Sequence, residues 1–215
     1  RDYKVTGVQT CALPISVGLI ASRWSAPLKN CYVHSVSQPA TCRVAGATWS
    51  LTFTREVLQF VAAHAQRTRA SKESVGQLYC RDLMTSHITV GHATVLPRTR
   101  ASYSGVQFNP VAAADERATL FKAGWHCIGL WHSHPESHAL PSSTDALLAT
   151  DYARAAATHL NGLVFALLGT RPLPDGFTVL LHDGARFWVT DWDHHVREPA
   201  GLALPELSAE RAKQE

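Results

Sequence analysis

A chain of 215 residues that is 46% hydrophobic and 17% charged carries enough apolar material for one sizeable core, not two. Its formal charge of +3 is mild, and Lys and Arg are scattered instead of forming a stripe that tracks phosphates, which argues against a nucleic-acid partner. No apolar run approaches the roughly 20 residues of a membrane-spanning helix, and five cysteines without a C-x-x-C pair, two of them (Cys80 and Cys127) inside apolar runs, fit a reducing, cytoplasmic setting better than a disulfide framework.

The first element in chain order is not read as structure. Val5 to Ile15 is VTGVQTCALPI, which is also the translation of a widely used sequencing-library adapter. Residues 1–47 are therefore expected to be an adapter scar followed by a loop-like segment, Ser16 to Gly46, rich in Ser, Pro and Cys. A signal peptide is the rival reading, and it fails because Pro14 and Arg23 break the apolar stretch. Regular signals occupy residues 48–198, and residues 199–215 read as a flexible, charged tail.

Within 48–198, "WSLTF" is a short strand, and Thr54 caps a helix in which Val57, Leu58, Val61, Ala62 and Ala65 recur at helical spacing up to about Arg69. "SVGQLYC" and "HITVGHATVL" are strands bounded by polar turns. Asn109 followed by Pro110 opens a helix that Gly124 closes. "WHCIGLW" is a continuous apolar run of strand length, covered on both faces. A helix starting at Ser142 and Ser143 presents Leu148, Tyr152, Ala155 and His159 on one side. "GLVFALLG", "GFTVLLHD" and "ARFWVTDW" complete the strands, the last two joined at Asp183-Gly184, a hairpin signal. Strands and helices alternate without the rhythm of a doubly wound sheet, so the pattern predicts an α+β fold of mixed α/β layers.

The chemistry concentrates in "GLWHSHPESHALPSSTD". His132 and His134 end a strand, where residues two apart point to the same side about 7 Å from each other, so both imidazoles can meet one ion. Pro135 stops the strand, and the chain returns to a helix start that brings Asp145 to the strand end. Two nitrogens and one oxygen make a three-ligand metal site with a position left open, the mark of a catalytic centre. A blander reading stands beside it: Ser142-x-x-Asp145 is also a capping box, and the histidines are also polar residues where a strand leaves the core. His126 and His138 read as ordinary polar residues, His194 and His195 as a solvated turn, and Trp125, Trp131, Trp188 and Trp192 as core or rim packing.

The joint pattern H-x-H-P, six residues, S-x-x-D resembles the JAMM signature of the MPN-type zinc metalloproteases. The order of elements is similar from about Trp49 to Val196. That resemblance implies a curved mixed β-sheet flanked by helices, an architecture similar to that of cytidine deaminases. It implies one catalytic Zn2+ held by His132, His134 and Asp145, with Ser142 donating to the developing oxyanion. The family's upstream segment E-[ST]-G-G-x-L matches "ESVGQLY", which makes Glu73 the general acid and base, with Val75 standing where the first glycine would be. Glu136 is the rival base.

The implied activity is a zinc-dependent isopeptidase or endopeptidase, cutting after the C-terminal tail of a ubiquitin-like protein held as an added strand at a sheet edge. The implied partners are that protein, its conjugates, and activating- and conjugating-enzyme homologues of a bacterial, antiphage-type conjugation system. Maturation of a sulfur-carrier protein, and a non-catalytic MPN-type scaffold, are the alternatives. A zinc deaminase acting on bases would need H-x-E and a later P-C-x-x-C, and neither is present.

Overall fold

Ten strands and three helices form among the described residues of the computed structural model, which are 36–101 and 106–193. The adapter-like stretch, His194, His195 and the tail after Pro199 lie outside them. In chain order the elements are β1 (Ala40–Val44), β2 (Ser50–Phe53), α1 (Arg55–Ala62), β3 (Val75–Cys80), β4 (His87–Ala93), β5 (Arg98–Ala101), β6 (Val106–Phe108), α2 (Pro110–Lys122), β7 (His126–Ser133), α3 (Ser143–Ala156), β8 (Leu163–Leu168), β9 (Phe177–His182) and β10 (Phe187–Trp192).

The helix starts follow their caps. Thr54 Oγ1 accepts the Val57 N–H at 3.3 Å, and Asn109 Oδ1 accepts those of Val111 at 2.9 Å and Ala112 at 3.4 Å, with Pro110 in the first turn, where it gives up no bond. Val57, Leu58, Val61 and Ala62 form the buried face of α1. The helix ends at Ala62, short of the expected Arg69. Beyond it the backbone closes in tight turns, His64 N–H on the Val61 carbonyl at 2.9 Å and Arg67 N–H on that of Ala65 at 3.0 Å, so Ala65 packs against the core without belonging to the helix.

The main sheet is mixed. Its strands run in the order β1-β10-β9-β8-β7-β3-β4-β2, and β1 bonds to both β10 and β2. β2–β4 and β7–β8 are parallel pairs, and the others are antiparallel. With α1 on β4, α2 on β7 and α3 on β8 and β9, the architecture is the α+β type expected. Two strand assignments differ from the sequence reading. Ala40–Val44 lies in the stretch read as loop, yet it pairs on both sides; its five residues show no usable period, and the partners impose the extended backbone. The ribbon β5–β6 was not anticipated either.

Every residue of β3 and β8 is buried, as expected of strands covered on both faces. Phe53, Trp131 and Phe177 belong to the main core, Phe53 meeting Phe177 edge-on at 5.4 Å. At the β9–β10 turn, Asp183 Oδ1 accepts the Ala185 and Arg186 N–H groups at 2.8 and 2.9 Å, the local bonding that makes Asp-Gly a turn former.

A polar knot fastens α2 to the sheet. Glu116 Oε1 accepts from Gln77 Nε2 at 2.8 Å, the Tyr79 hydroxyl at 2.9 Å and Thr94 Oγ1 at 2.6 Å, while Arg117 donates to Gln77 Oε1 at 2.6 Å. Gln77 and Tyr79 are fully buried, so losing the acceptor strands two donors away from water. Glu116→Ala is expected to lower stability by about 2–4 kcal/mol in urea unfolding, and Glu116→Gln, which keeps an acceptor oxygen, by clearly less.

Candidate metal centre

β7 runs parallel to β8, pairing His132 with Leu167, and the His134 N–H continues the ladder to the Leu168 carbonyl at 2.7 Å. Extended backbone therefore persists through both histidines and holds their rings on one side. Their Nε2 atoms stand 2.7 Å apart. Pro135 ends the run, and the chain reaches the start of α3, where Ser142 is the N-cap.

Asp145 is both a capping residue and a candidate ligand. Its Oδ2 accepts the Ser142 N–H at 2.8 Å and the Ser142 hydroxyl at 2.7 Å, and its own N–H donates to Ser142 Oγ at 3.2 Å. Its Oδ1 lies 3.1 Å from His132 Nε2, and Oδ2 lies 3.6 Å from His134 Nε2. The capping box thus aims the carboxylate at the imidazoles, and the two readings of Ser142-x-x-Asp145 describe one arrangement.

One ligand atom from each of His132, His134 and Asp145 falls within 4.8 Å of the others. Two ring nitrogens and a carboxylate oxygen this close leave room for a shared proton or for one cation, and this donor set suits a borderline divalent metal. Glu136 Oε2 lies 3.1 Å from His134 Nδ1. A proton on Nδ1 donated to that carboxylate leaves the Nε2 lone pair facing the centre, the usual way a neighbouring acid orients a histidine ligand.

The charges adapt to one another. Burial works against ionisation of Asp145, but bonds from His132 and Ser142 outweigh it and hold the carboxyl well below its ordinary value. Burial, followed by the proximity of His132, lowers the pKa of His134 and keeps its ring neutral, the form a ligand needs.

Glu73 arrives from β3. Val75 sits opposite His132 in the antiparallel β3–β7 pair, and the Ser133 N–H reaches the Ser74 carbonyl at 2.9 Å. That register, continued, sets Glu73 across from His134, on the face that carries both imidazoles. Burial, then the negative charges of Asp145 and Glu136, push its carboxyl up to about 7. Val75 is buried against Leu96 and Ala113. Gly76 has no room for a side chain: a Cβ there would lie 1.7 Å from the Thr94 carbonyl oxygen.

Two residues that hold Glu73 were not singled out from sequence. Ser133, read only as the spacer between the histidines, is fully buried, and its Oγ accepts the Ser74 N–H at 2.9 Å. Arg98, at the start of the ribbon β5, donates to the Glu73 carbonyl at 3.0 Å. The H-x-H spacing carries no sign of the first, and the unanticipated ribbon hid the second.

The remaining candidates stand apart from the centre. His126 is at the other end of β7, edge-on to Phe121, and His138 is exposed. Trp131 is fully buried, Trp192 packs on Phe53 and Phe177, and Trp125 and Trp188 lie beneath Arg81 and Arg186.

Comparison with known proteins gives one family. Residues 54–181 match the model described as prokaryotic homologs of the JAB domain. No curated protein matches the chain. Among solved structures, it is similar to the solution structure of protein DSY2949 from Desulfitobacterium hafniense, with 22% identity, 67% of this chain and 90% of that one covered and a TM-score of 0.47. It is also similar to a protein from Salinibacter ruber, with 19% identity, 65% and 88% covered and a TM-score of 0.43.

The raised pKa of Glu73 has a signed consequence for the metal-free chain. Its carboxyl titrates near 7 when folded and near 4.3 when unfolded. Burying the charge costs nothing below about pH 4, and the penalty grows as pH rises to about 7. Glu73→Gln is therefore expected to stabilise the metal-free protein by about 2 kcal/mol at pH 8 and not at pH 4. Denaturant midpoints of the two proteins across that range check it, and a difference independent of pH contradicts the assigned environment.

Proposed function

The chain belongs to the family of prokaryotic homologs of the JAB domain, and on that premise we propose that it is a zinc-dependent peptidase or isopeptidase. Its substrate is a ubiquitin-like protein, cut after the C-terminal tail. The observation that carries the reading is the convergence of His132, His134 and Asp145, with a carboxylate of raised pKa, Glu73, supplied by the neighbouring strand.

His132, His134 and Asp145 would hold the zinc ion, which would supply Lewis acidity at the reacting carbonyl and water. The protein's own groups do the rest. Glu73 takes the proton of the attacking water and returns it to the leaving amine, and a carboxylate titrating near 7 is matched to both directions of that transfer. Ser142 is exposed at the rim, its hydroxyl turned to Asp145. Rotated towards the substrate, it donates to the developing oxyanion. Glu136 keeps to His134, which makes it a positioning carboxylate more than a base.

Because β1 bonds to both β2 and β10, the main sheet offers a substrate no free edge among the described residues. The ribbon β5–β6, tied through Arg98 to the Glu73 carbonyl, is the sheet edge beside the centre among the described residues. An extended tail added there would lead its scissile bond towards His132, His134 and Asp145. The setting that this reading carries is a bacterial ubiquitin-like conjugation system, of the antiphage kind, with activating- and conjugating-enzyme homologues as partners.

Glu73→Gln is expected to bind one zinc per chain by elemental analysis and to lose hydrolysis of ubiquitin-like fusions by about a hundredfold or more. Full activity in that variant hands the base to Glu136, and a wild-type chain that takes up no zinc leaves a scaffold. Tails with proline in the residues before the cut are expected to be cleaved poorly, since proline cannot donate to an added-strand ladder. Equal cleavage of both tails, read by mass spectrometry, removes the edge-strand docking.

A further inference from the structure

Beside the metal motif lies a polar cavity of about 360 Å3, lined by Gln66, Arg67, Thr68, Arg69, Pro135 and Thr170. A second recess of about 160 Å3 shares Arg67 and Thr170 with it and adds Arg171, Ala62 and Leu173 among its walls. Arg67, Arg69 and Arg171 form no ion pair among the described residues. On the other side of Pro135 the charge reverses, with Glu73, Glu136 and Asp145 gathered around the imidazoles. A guanidinium group presents a planar fork of donors that matches a carboxylate, and Glu136 and Asp145 are turned to the histidines.

The cavity is built onto the metal loop. The Thr170 N–H reaches the Glu136 carbonyl at 2.9 Å, and that of Arg171 reaches the Ser137 carbonyl at 3.4 Å. Between β8 and these bonds, Gly169 lets the two backbones touch: a Cβ there would lie 2.6 Å from the Ser137 oxygen and 2.9 Å from that of Glu136. The segment after β8 and the segment after His134 are therefore bonded to each other, which places the Pro135 and Thr170 walls of the cavity next to the triad.

We infer that the cavity formed by Arg67, Arg69, Pro135 and Thr170 is a specificity subsite for an acidic residue of the protein substrate, close in sequence to the bond that is cut. This deepens the hydrolase reading and rests on it for the word substrate. The recess with Ala62 and Leu173 takes an aliphatic neighbour of that acidic residue, so the preferred segment is an acid beside an aliphatic side chain.

The test measures binding, not turnover. A short fluorescein-labelled peptide with three consecutive acidic residues next to a leucine is titrated by anisotropy into the metal-stripped full chain, against the same peptide with the acids replaced by their amides. The acidic peptide is expected to bind about tenfold tighter. R67Q/R69Q, both exposed positions, should abolish the preference and keep the thermal midpoint. The control R81Q/R186Q, which removes guanidiniums stacked on Trp125 and Trp188, should keep the preference.

Equal binding of the two peptides, a preference that survives R67Q/R69Q, or one lost equally in the control overturns the subsite. A phosphoserine version binding a further tenfold tighter overturns the carboxylate assignment. Elemental analysis of the same preparations after zinc exposure separates two failures. A chain without zinc that keeps the acidic preference supports the cavity and sinks the hydrolase reading; a zinc-loaded chain without the preference sinks only the subsite.

Discussion

Asp145 ties a helix start to a pair of imidazoles with one carboxylate, and the rest of the site depends on that link. Oδ2 takes both the backbone and the hydroxyl donors of Ser142, while Oδ1 is directed at His132. The capping box is a local device that forms wherever this pattern starts a helix. Here it fixes the rotamer of a charged side chain at the end of a strand from another part of the chain. A carboxylate already held by two donors loses little further freedom when it meets a third group, which is what a preorganised ligand requires.

The second constraint is the pairing of β3 with β7. Because the partners are antiparallel, the residues leaving β3 at its start lie beside the residues leaving β7 at its end, and the Ser133 hydroxyl and amide bond the Ser74 backbone in both directions. Glu73 is thereby delivered across from His134 without being one of the three residues that could hold a metal. Its environment differs from that of Asp145: Asp145 is ionised by its bonds, and Glu73 is held back by burial and by its anionic neighbours.

Charge is also sorted across Pro135. The acids cluster on the metal side, and Arg67, Arg69 and Arg171 line the cavities on the other. Backbone bonds from Thr170 and Arg171 join the segment after β8 to the segment after His134. The polar knot of Glu116 works at a distance from this, clamping α2 to the outer side of β3 and β4.

The amino-acid sequence by itself determined the elements whose signals are local: the caps at Thr54, Asn109 and Ser142, the Asp183-Gly184 turn, and the buried run of β7. Side-chain bonds to nearby backbone, and apolar content spread over a whole strand, need no knowledge of the partner. The grouping of His132, His134 and Asp145 was also readable, because extended backbone fixes where the two histidines point and the turn at Pro135 leads back to a helix start that carries Asp145. Only the tertiary structure decided what depends on partners distant in the chain. Ala40–Val44 is a strand because β2 and β10 flank it, and α1 stops at Ala62 where the chain closes into turns. Ser133 matters because Ser74 lies opposite, and Glu73 titrates near 7 because burial and two acids surround it. Burial and cross-strand register are properties of pairs of segments, and no single segment contains them.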